Sequence, residues 1–505
     1  MFDKRVFVAF VCAALVIPSI GAVKVHCAQS TPAETKVEVS IALKVAGGFS
    51  SREPQVYPWP FSATQLLVQY SLDISVDTGG TTDPSPGAYN YDVGANVEVT
   101  AIANSGYIFL NWTGDVPSGH ETDNPITLTM DSDKSIICHF TLSGQAVWGV
   151  AQRITWSTSG SCDPAIAVDS LGNPYVVWDE SGPGNEEIYF KKSTDGGATW
   201  TMGKRLTSDS AWSKYPDIAI DSSGNLHVVW MDYMSGDYEI YYVKSTDGGS
   251  TWMSSKRITW NTGFSGYPAI AIDSLGNPHV VWSDDTPGYY EIFYRKSTDG
   301  GTTWKPRKRL TRNSGLSESP DIVADPSGNL HVVWSDNTNT PGNSEIYYKK
   351  STDGGNTWRP SKRVTWTSGA SFWPKIGAHP SGNLHLVWVD YTPGNYEIYY
   401  RKSADLGGTW TVIKRLTWSA ENSLYPGIAV DSSGHPQTVW AESISFVNDE
   451  IFFKRSTDGG TSWLAGQRIS WSSYGSFKPA IASDSSGSLH LVWMETPSIY
   501  YVKGK

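Results

Sequence analysis

The chain has 505 residues, too many for one ordinary core, so several domains or a repeat array are expected. Charged residues make up 18% and aromatic residues 13%, with 48 glycines, a balance that points to strands and turns rather than helices. A formal net charge of −11 argues against nucleic acid and anionic membrane surfaces as partners.

Lys4 and Arg5 precede an apolar run from Val6 to about Ile17, and small residues follow at Ser19, Gly21 and Ala22. This is the layout of a secretory signal over residues 1–22, or of an anchor that is kept. No second hydrophobic segment follows, so a secreted or cell-surface protein with no further membrane span is expected. Cys27, Cys138 and Cys162 are scattered and odd in number beyond the signal, which suggests neither a disulfide framework nor a metal site. No metal and no cofactor are expected. Residues 23–65 lack a stable period, and the Pro-rich stretch Glu53–Pro60 reads as linker.

Residues 66–143 change to short alternating apolar runs, at Leu72–Val76, Asn96–Ala101, Ile126–Met130 and Ser135–Phe140. Turn residues such as Gly79-Gly80, Pro84–Gly87 and Ser118-Gly119 separate them, so a small β-module is expected. Its phrases Gly106-Tyr107-Ile108-Phe109, Trp112-Thr113-Gly114-Asp115 and Met130-Asp131-Ser132-Asp133-Lys134 resemble the internalin-type B repeat of bacterial surface proteins. That resemblance implies a spacer or adhesion module.

From residue 144 to 505 a unit of about 52 residues recurs seven times, with a core phrase seen in Pro216–Trp230, Pro268–Trp282 and Pro320–Trp334. Its closing Trp falls at 178, 230, 282, 334, 388, 440 and 493. Such a period means one supersecondary unit repeated. Each unit reads as four strands, in the second copy Asp217–Ile220, Leu226–Trp230, Glu239–Lys244 and Lys256–Thr259. The expected fold is all-β: a seven-bladed β-propeller of four-stranded blades plus the small N-terminal β-module. The last copy stops after its third strand, and the segment Ala146–Thr155 can supply the missing one, closing the ring.

The third-to-fourth hairpin carries the phrase Ser193-Thr194-Asp195-Gly196-Gly197-Ala198-Thr199-Trp200, repeated with Asp247, Asp299, Asp353, Asp405 and Asp458. The Asp carboxylate can accept turn N–H bonds, Gly permits positive φ, and Trp can staple the hairpin to the blade. The phrase resembles the Asp-box, or BNR repeat, of sialidases and related propellers. A sialidase would need three arginines clamping the sugar carboxylate, a Tyr nucleophile assisted by Glu, and an Asp acid/base. Here Arg153, Arg205, Arg257, Arg309, Arg363, Arg415 and Arg468 share one repeated slot, and only Arg312 falls in a loop between blades. No arginine triad is visible, and no catalytic residue is assigned.

The end carrying the second-to-third and blade-to-blade loops is aromatic. Trp156, Trp260, Trp366, Trp418 and Trp471 recur between blades, and Tyr233, Tyr289 and Tyr391 stand in the longer loops. Tyr215, Tyr267, Trp373, Tyr425 and Phe477 lie just before or near the first strands. These rings either wedge between adjacent blades or stack on sugars, whose apolar faces suit aromatic planes. Carboxylates two residues after each closing Trp, and His227, His279, His331, His385 and His490 in one shared slot, repeat too evenly for a single catalytic site. The expectation is an exported, monomeric binding protein for a glycan or an extracellular protein. A sialidase-related glycoside hydrolase and a structural envelope spacer are the alternatives.

Overall fold

The computed structural model describes residues 24–26, 40–42, 69–182, 184–208, 210–234, 236–338, 342–445 and 448–505. The expected signal lies outside the described residues, as does the expected linker apart from Lys24–His26 and Ser40–Ala42, which pair antiparallel. All described elements are strands.

The segment from Gln69 to Leu142 forms two sheets. One has the order Gly87–Asp92, Gln69–Val76, Lys134–Leu142, Tyr107–Gly114, with a parallel central pair; the other joins Gly80–Asp83, Asn96–Ala103 and Ile126–Thr129. Alternate residues (Leu72, Ile74, Val97, Val99, Ile136, Cys138) point inward around a fully buried Trp112. Three of these strands, Gly80–Asp83, Gly87–Asp92 and Tyr107–Gly114, are absent from the expected pattern because their Gly, Asp and Asn residues read as turns. Gly80 and Gly114 are strand residues for a steric reason: a Cβ would strike the Phe140 ring at the first and the Ser135 carbonyl at the second.

Beyond residue 144, seven four-stranded sheets follow among the described residues. In six of them the strands lie in chain order, as in the second, Ser213–Ile220, Leu226–Asp232, Glu239–Ser245, Lys256–Arg257. The last sheet is composite, with the order Gln152–Arg153, Ser498–Gly504, Leu489–Glu495, Ser476–Ser483. A buried cluster of Ile154, Val176, Trp178, Val492, Ile499 and Tyr501 joins that sheet to the first.

Two departures from the expected strands have local causes. Fourth strands are two residues long because the next hydroxyl takes over the ladder: the Ile240 N–H donates to Thr259 Oγ1 at 2.8 Å. First strands begin earlier than expected and carry a bulge at their proline, as between Lys214 and Asp217. The residue before that proline takes positive φ in every unit: Asp163, Tyr215, Tyr267, Ser319, Trp373, Tyr425 and Lys478, at 47–54°.

One end of six of the seven repeated sheets is locked by repeated polar bonds. In the third sheet the Ser297 hydroxyl donates to Asp299 at 2.6 Å, and the Thr303 N–H and hydroxyl donate to the same carboxylate at 2.7 and 2.5 Å. Those hydroxyls hold the Asp299 carboxyl well below the usual range. Equivalent bonds surround Asp195, Asp247, Asp353, Asp405 and Asp458. The hairpin Trp packs on the preceding sheet rather than its own, Trp304 edge-on to Tyr242 at 5.0 Å and Trp200 to Tyr501 of the last sheet at 4.9 Å. Gly301 must be glycine because its φ is +91° and a Cβ would collide with the Tyr242 hydroxyl.

Candidate ligand-binding face

The repeated titratable groups are consumed by the scaffold. Six of the seven closing Trp donate the indole N–H to the carboxylate two residues on, at 2.9–3.2 Å for Glu180, Asp232, Asp284, Asp336, Asp390 and Glu442, whereas the buried Trp493 N–H makes no such bond. Arg257, Arg309, Arg363, Arg415 and Arg468 pair at 2.6–2.9 Å with the glutamates that open the third strands, and Arg205 with Glu187. His227, His279, His331 and His490 bridge a turn Asp to a buried Tyr, as His279 does at 3.1 Å to Asp273 and 2.7 Å to the Tyr294 hydroxyl. Burial lowers His227 to about 4 and pushes His331 and His490 down as well, which disfavours their charged forms. In the fifth sheet His379 replaces the Asp, and the buried His385 keeps Nε2 without a partner. Among the described residues no group of His, Cys, Asp and Glu is placed to hold a metal ion.

The opposite end varies, and its tryptophans are not wedged between sheets. Trp156, Trp260, Trp366, Trp418 and Trp471 are 61–73% exposed. Each stands just past a fourth strand with a cation over its ring. These are Lys191 at 5.0 Å on Trp156, Arg295 at 5.2 Å on Trp260 and Arg363 at 5.6 Å on Trp366. Lys454 lies 5.3 Å from Trp418 and Arg468 5.5 Å from Trp471. The cation often comes from the third strand of the next sheet and is fixed there, Lys191 on the Ile154 carbonyl at 2.5 Å and Lys454 on the Leu416 carbonyl at 2.6 Å. Around Trp418 a groove of about 330 Å³ opens between two sheets, with Arg415, Lys454, Thr461 and Trp463 in its walls. The groove at Trp471, about 270 Å³, is partly walled by Leu110 and Thr141 of the small module. Arg312 is exposed in the same slot, beside Lys349, and Ser208 fills it after Thr207.

The loop tyrosines are also exposed. Tyr289 has its ring in solvent, Tyr391 packs on Tyr396 at 4.9 Å, and Tyr233 lies between Trp212 at 6.2 Å and Tyr238 at 5.0 Å. From Tyr238 the rings continue through Phe264 (5.6 Å) and Tyr267 (5.9 Å) to Tyr215 (5.0 Å).

Tyr215 and Tyr267 belong to the positive-φ slots, which the sequence reveals only in part. Phe477 shares their aromatic type, but the slot in the last sheet holds Lys478. Lys478 pairs with Asp163 at 2.5 Å and lies 5.3 Å over the Tyr215 ring. Trp373 stacks on Tyr425 at 5.3 Å with 17° between planes. Asp179, 4% exposed, accepts the Tyr215 N–H at 3.3 Å. Burial, with the Asp163 charge next, pushes its carboxyl up. The other sheets carry Met231, Ser283, Ser335, Val389, Ala441 and Met494 at this position. The signal that could have found the group is the proline one residue later, present in all seven units.

Residues 70–144 match the family described as the divergent InlB B-repeat domain. A xyloglucanase of Acetivibrio thermocellus is 27% identical over 188 residues, which cover 33% of this chain and 22% of the relative. The chain thus spans about a fifth of the length of that curated relative. Among solved structures, an ulvan lyase bound to a GlcA(1-4)Rha3S unit is 13% identical over 68% of this chain and 93% of its own, with a TM-score of 0.50. A Hadza microbial sialidase is 15% identical over 63% of this chain and 73% of its own, with a TM-score of 0.43. The likeness to the ulvan lyase is one of fold alone.

Proposed function

We propose that this is an exported protein whose seven sheets are the blades of one propeller, closed by the segment 146–155, and that it binds glycans. The boundaries follow the expected ones: signal 1–22, linker 23–65, B-repeat module 66–143, propeller 144–505. The contacts of Trp200 and Ile154 with the last sheet support closure. The hydrogen-bonding around the six hairpin aspartates supports reading those hairpins as Asp-boxes of architectural role.

One observation carries the binding reading: five indoles, each mostly exposed, stand at equivalent places, each with a cation over its ring. A sugar's C–H face is the partner that exposed, repeatedly placed aromatic planes suit. Shallow repeated grooves favour a polymer gripped at several points over a single buried residue. The arginines are engaged by glutamates rather than gathered into a clamp, which speaks against sialidase chemistry. The test is a glycan-array screen of the secreted protein beside its Trp366→Ala/Trp418→Ala variant, with a fluorogenic sialoside assay in parallel. Binding that weakens at least tenfold in the variant, without turnover, is expected. Undiminished binding, or sialoside cleavage, would sink the reading.

A further inference from the structure

The positive-φ slots hold backbone strain, because glycine alone takes that conformation freely and none of the seven is glycine. A side chain is retained at each slot against backbone preference, and strain of this kind collects where a protein holds a ligand. The scaffold does not demand any one side chain there, since the occupants range from Asp and Ser to Trp and Lys. They are among the least alike of the repeat positions, and they make an asymmetric constellation in an otherwise periodic array.

We infer that these first-strand slots form a second ligand site, separate from the outer tryptophans, which takes an uncharged sugar and rejects acidic glycans. The inference rests on the propeller and glycan readings above. Its aromatic walls are the pair Tyr215–Tyr267, inclined at 60°, and the stacked pair Trp373–Tyr425. In ring order they flank Ser319 on one side and the Lys478–Asp163 ion pair on the other. Aromatic planes on two sides suit the C–H faces of a pyranose, and the hydroxyls find Ser319, Asp163 and Lys478.

Charge decides which sugar. Around the slots, Asp163, Asp179 and Glu186 face Lys478 and Lys214, and the two lysines are already paired, at 2.5 Å with Asp163 and 3.1 Å with Glu186. Further along the first strands, Lys375 is likewise paired with Asp321 at 3.3 Å and feels the charge of Asp217. A uronate, sulfate or sialate would meet lysines already paired with carboxylates and no guanidinium in this group, so desolvating it there is unfavourable. A neutral sugar meets no such penalty.

The test exploits the strain. Replacing Trp373 or Tyr267 by Gly removes the ring and relieves the backbone together, so a merely structural ring and a ligand-holding ring give opposite signs. The full chain and its Trp373→Gly, Tyr267→Gly and Trp366→Ala/Trp418→Ala variants are screened on an array of neutral and acidic glycans, and each is melted. The expected result is a set of neutral glycans whose binding falls at least tenfold in Trp373→Gly and Tyr267→Gly while the melting temperature holds or rises. Neutral binding kept in both glycine variants but lost in the double tryptophan variant overturns this site and leaves the outer-groove reading standing. Binding of acidic glycans alone, no binding of neutral glycans, or a melting temperature that falls in step with binding overturns it as well.

Discussion

The two ends of each repeated sheet obey different rules. At the end with the boxed hairpins, the same Ser, Asp, Gly, Thr and Trp recur, and the box hydroxyls and carboxylate satisfy one another, as around Asp299. At the other end the residue after each fourth strand and its hydroxyl is Trp, Ser or Arg, and the residue before each proline changes from sheet to sheet. Uniformity marks what the scaffold needs in order to stack one unit on the next; variation marks what it leaves free for recognition. The exception at the uniform end supports the rule, since His379 leaves His385 unsatisfied.

Breaking the scaffold end should have the largest effect. Arg257→Ala leaves Glu239 buried with an uncompensated charge, and a loss of about 3 kcal/mol in denaturant unfolding is expected. Acid should act next. Burial sets His227 to about 4 and lowers His331 and His490, against about 6.5 in the unfolded chain, so below that pH the unfolded state binds the extra protons. Stability then falls as pH drops from 6.5 toward 4, by about 1.4 kcal/mol per unit for each such histidine at most, which calorimetry at pH 7 and 5 would read. His379→Asp should restore the Asp–His–Tyr bridge of the fifth sheet and add about 1 kcal/mol, raising the melting temperature. The smallest change belongs to the recognition end: Trp366→Ala and Trp418→Ala should each shift stability by no more than about 0.5 kcal/mol. Equal losses at both ends would erase the distinction.

Much of this architecture is legible in the sequence because its causes are local. The period, the turn residues and the short Val-rich run in Leu226–Asp232, buried along its whole length, follow from short-range stereochemistry. The fourth strands are shorter than the sequence suggests, since nothing in Lys256–Thr259 announces that Thr259 will turn its hydroxyl onto the neighbouring N–H. The destination of Trp304, on Tyr242 of the sheet before it, is a matter of stacking between units and leaves no mark in the unit itself. Tyr215 and Trp373 stand out as aromatics, but Asp163, Ser319 and Lys478 share with them a backbone angle rather than a side-chain type. A search by residue chemistry passes over such a set. The exposure of Trp156 and its counterparts is hidden for a related reason: whether a ring is covered depends on the adjacent sheet.

The pairing of Gln152 with Tyr501 also sets a timetable. The short strand at 152–153 is synthesised some 350 residues ahead of its partner. At 5–20 residues per second it waits roughly 20–70 s before that edge exists. Through that interval Ile154 can meet Val176 and Trp178 but lacks Val492, Ile499 and Tyr501, so the nascent chain carries a half-covered hydrophobic hem. Molecules that stall between these two moments are the ones from which aggregation would start.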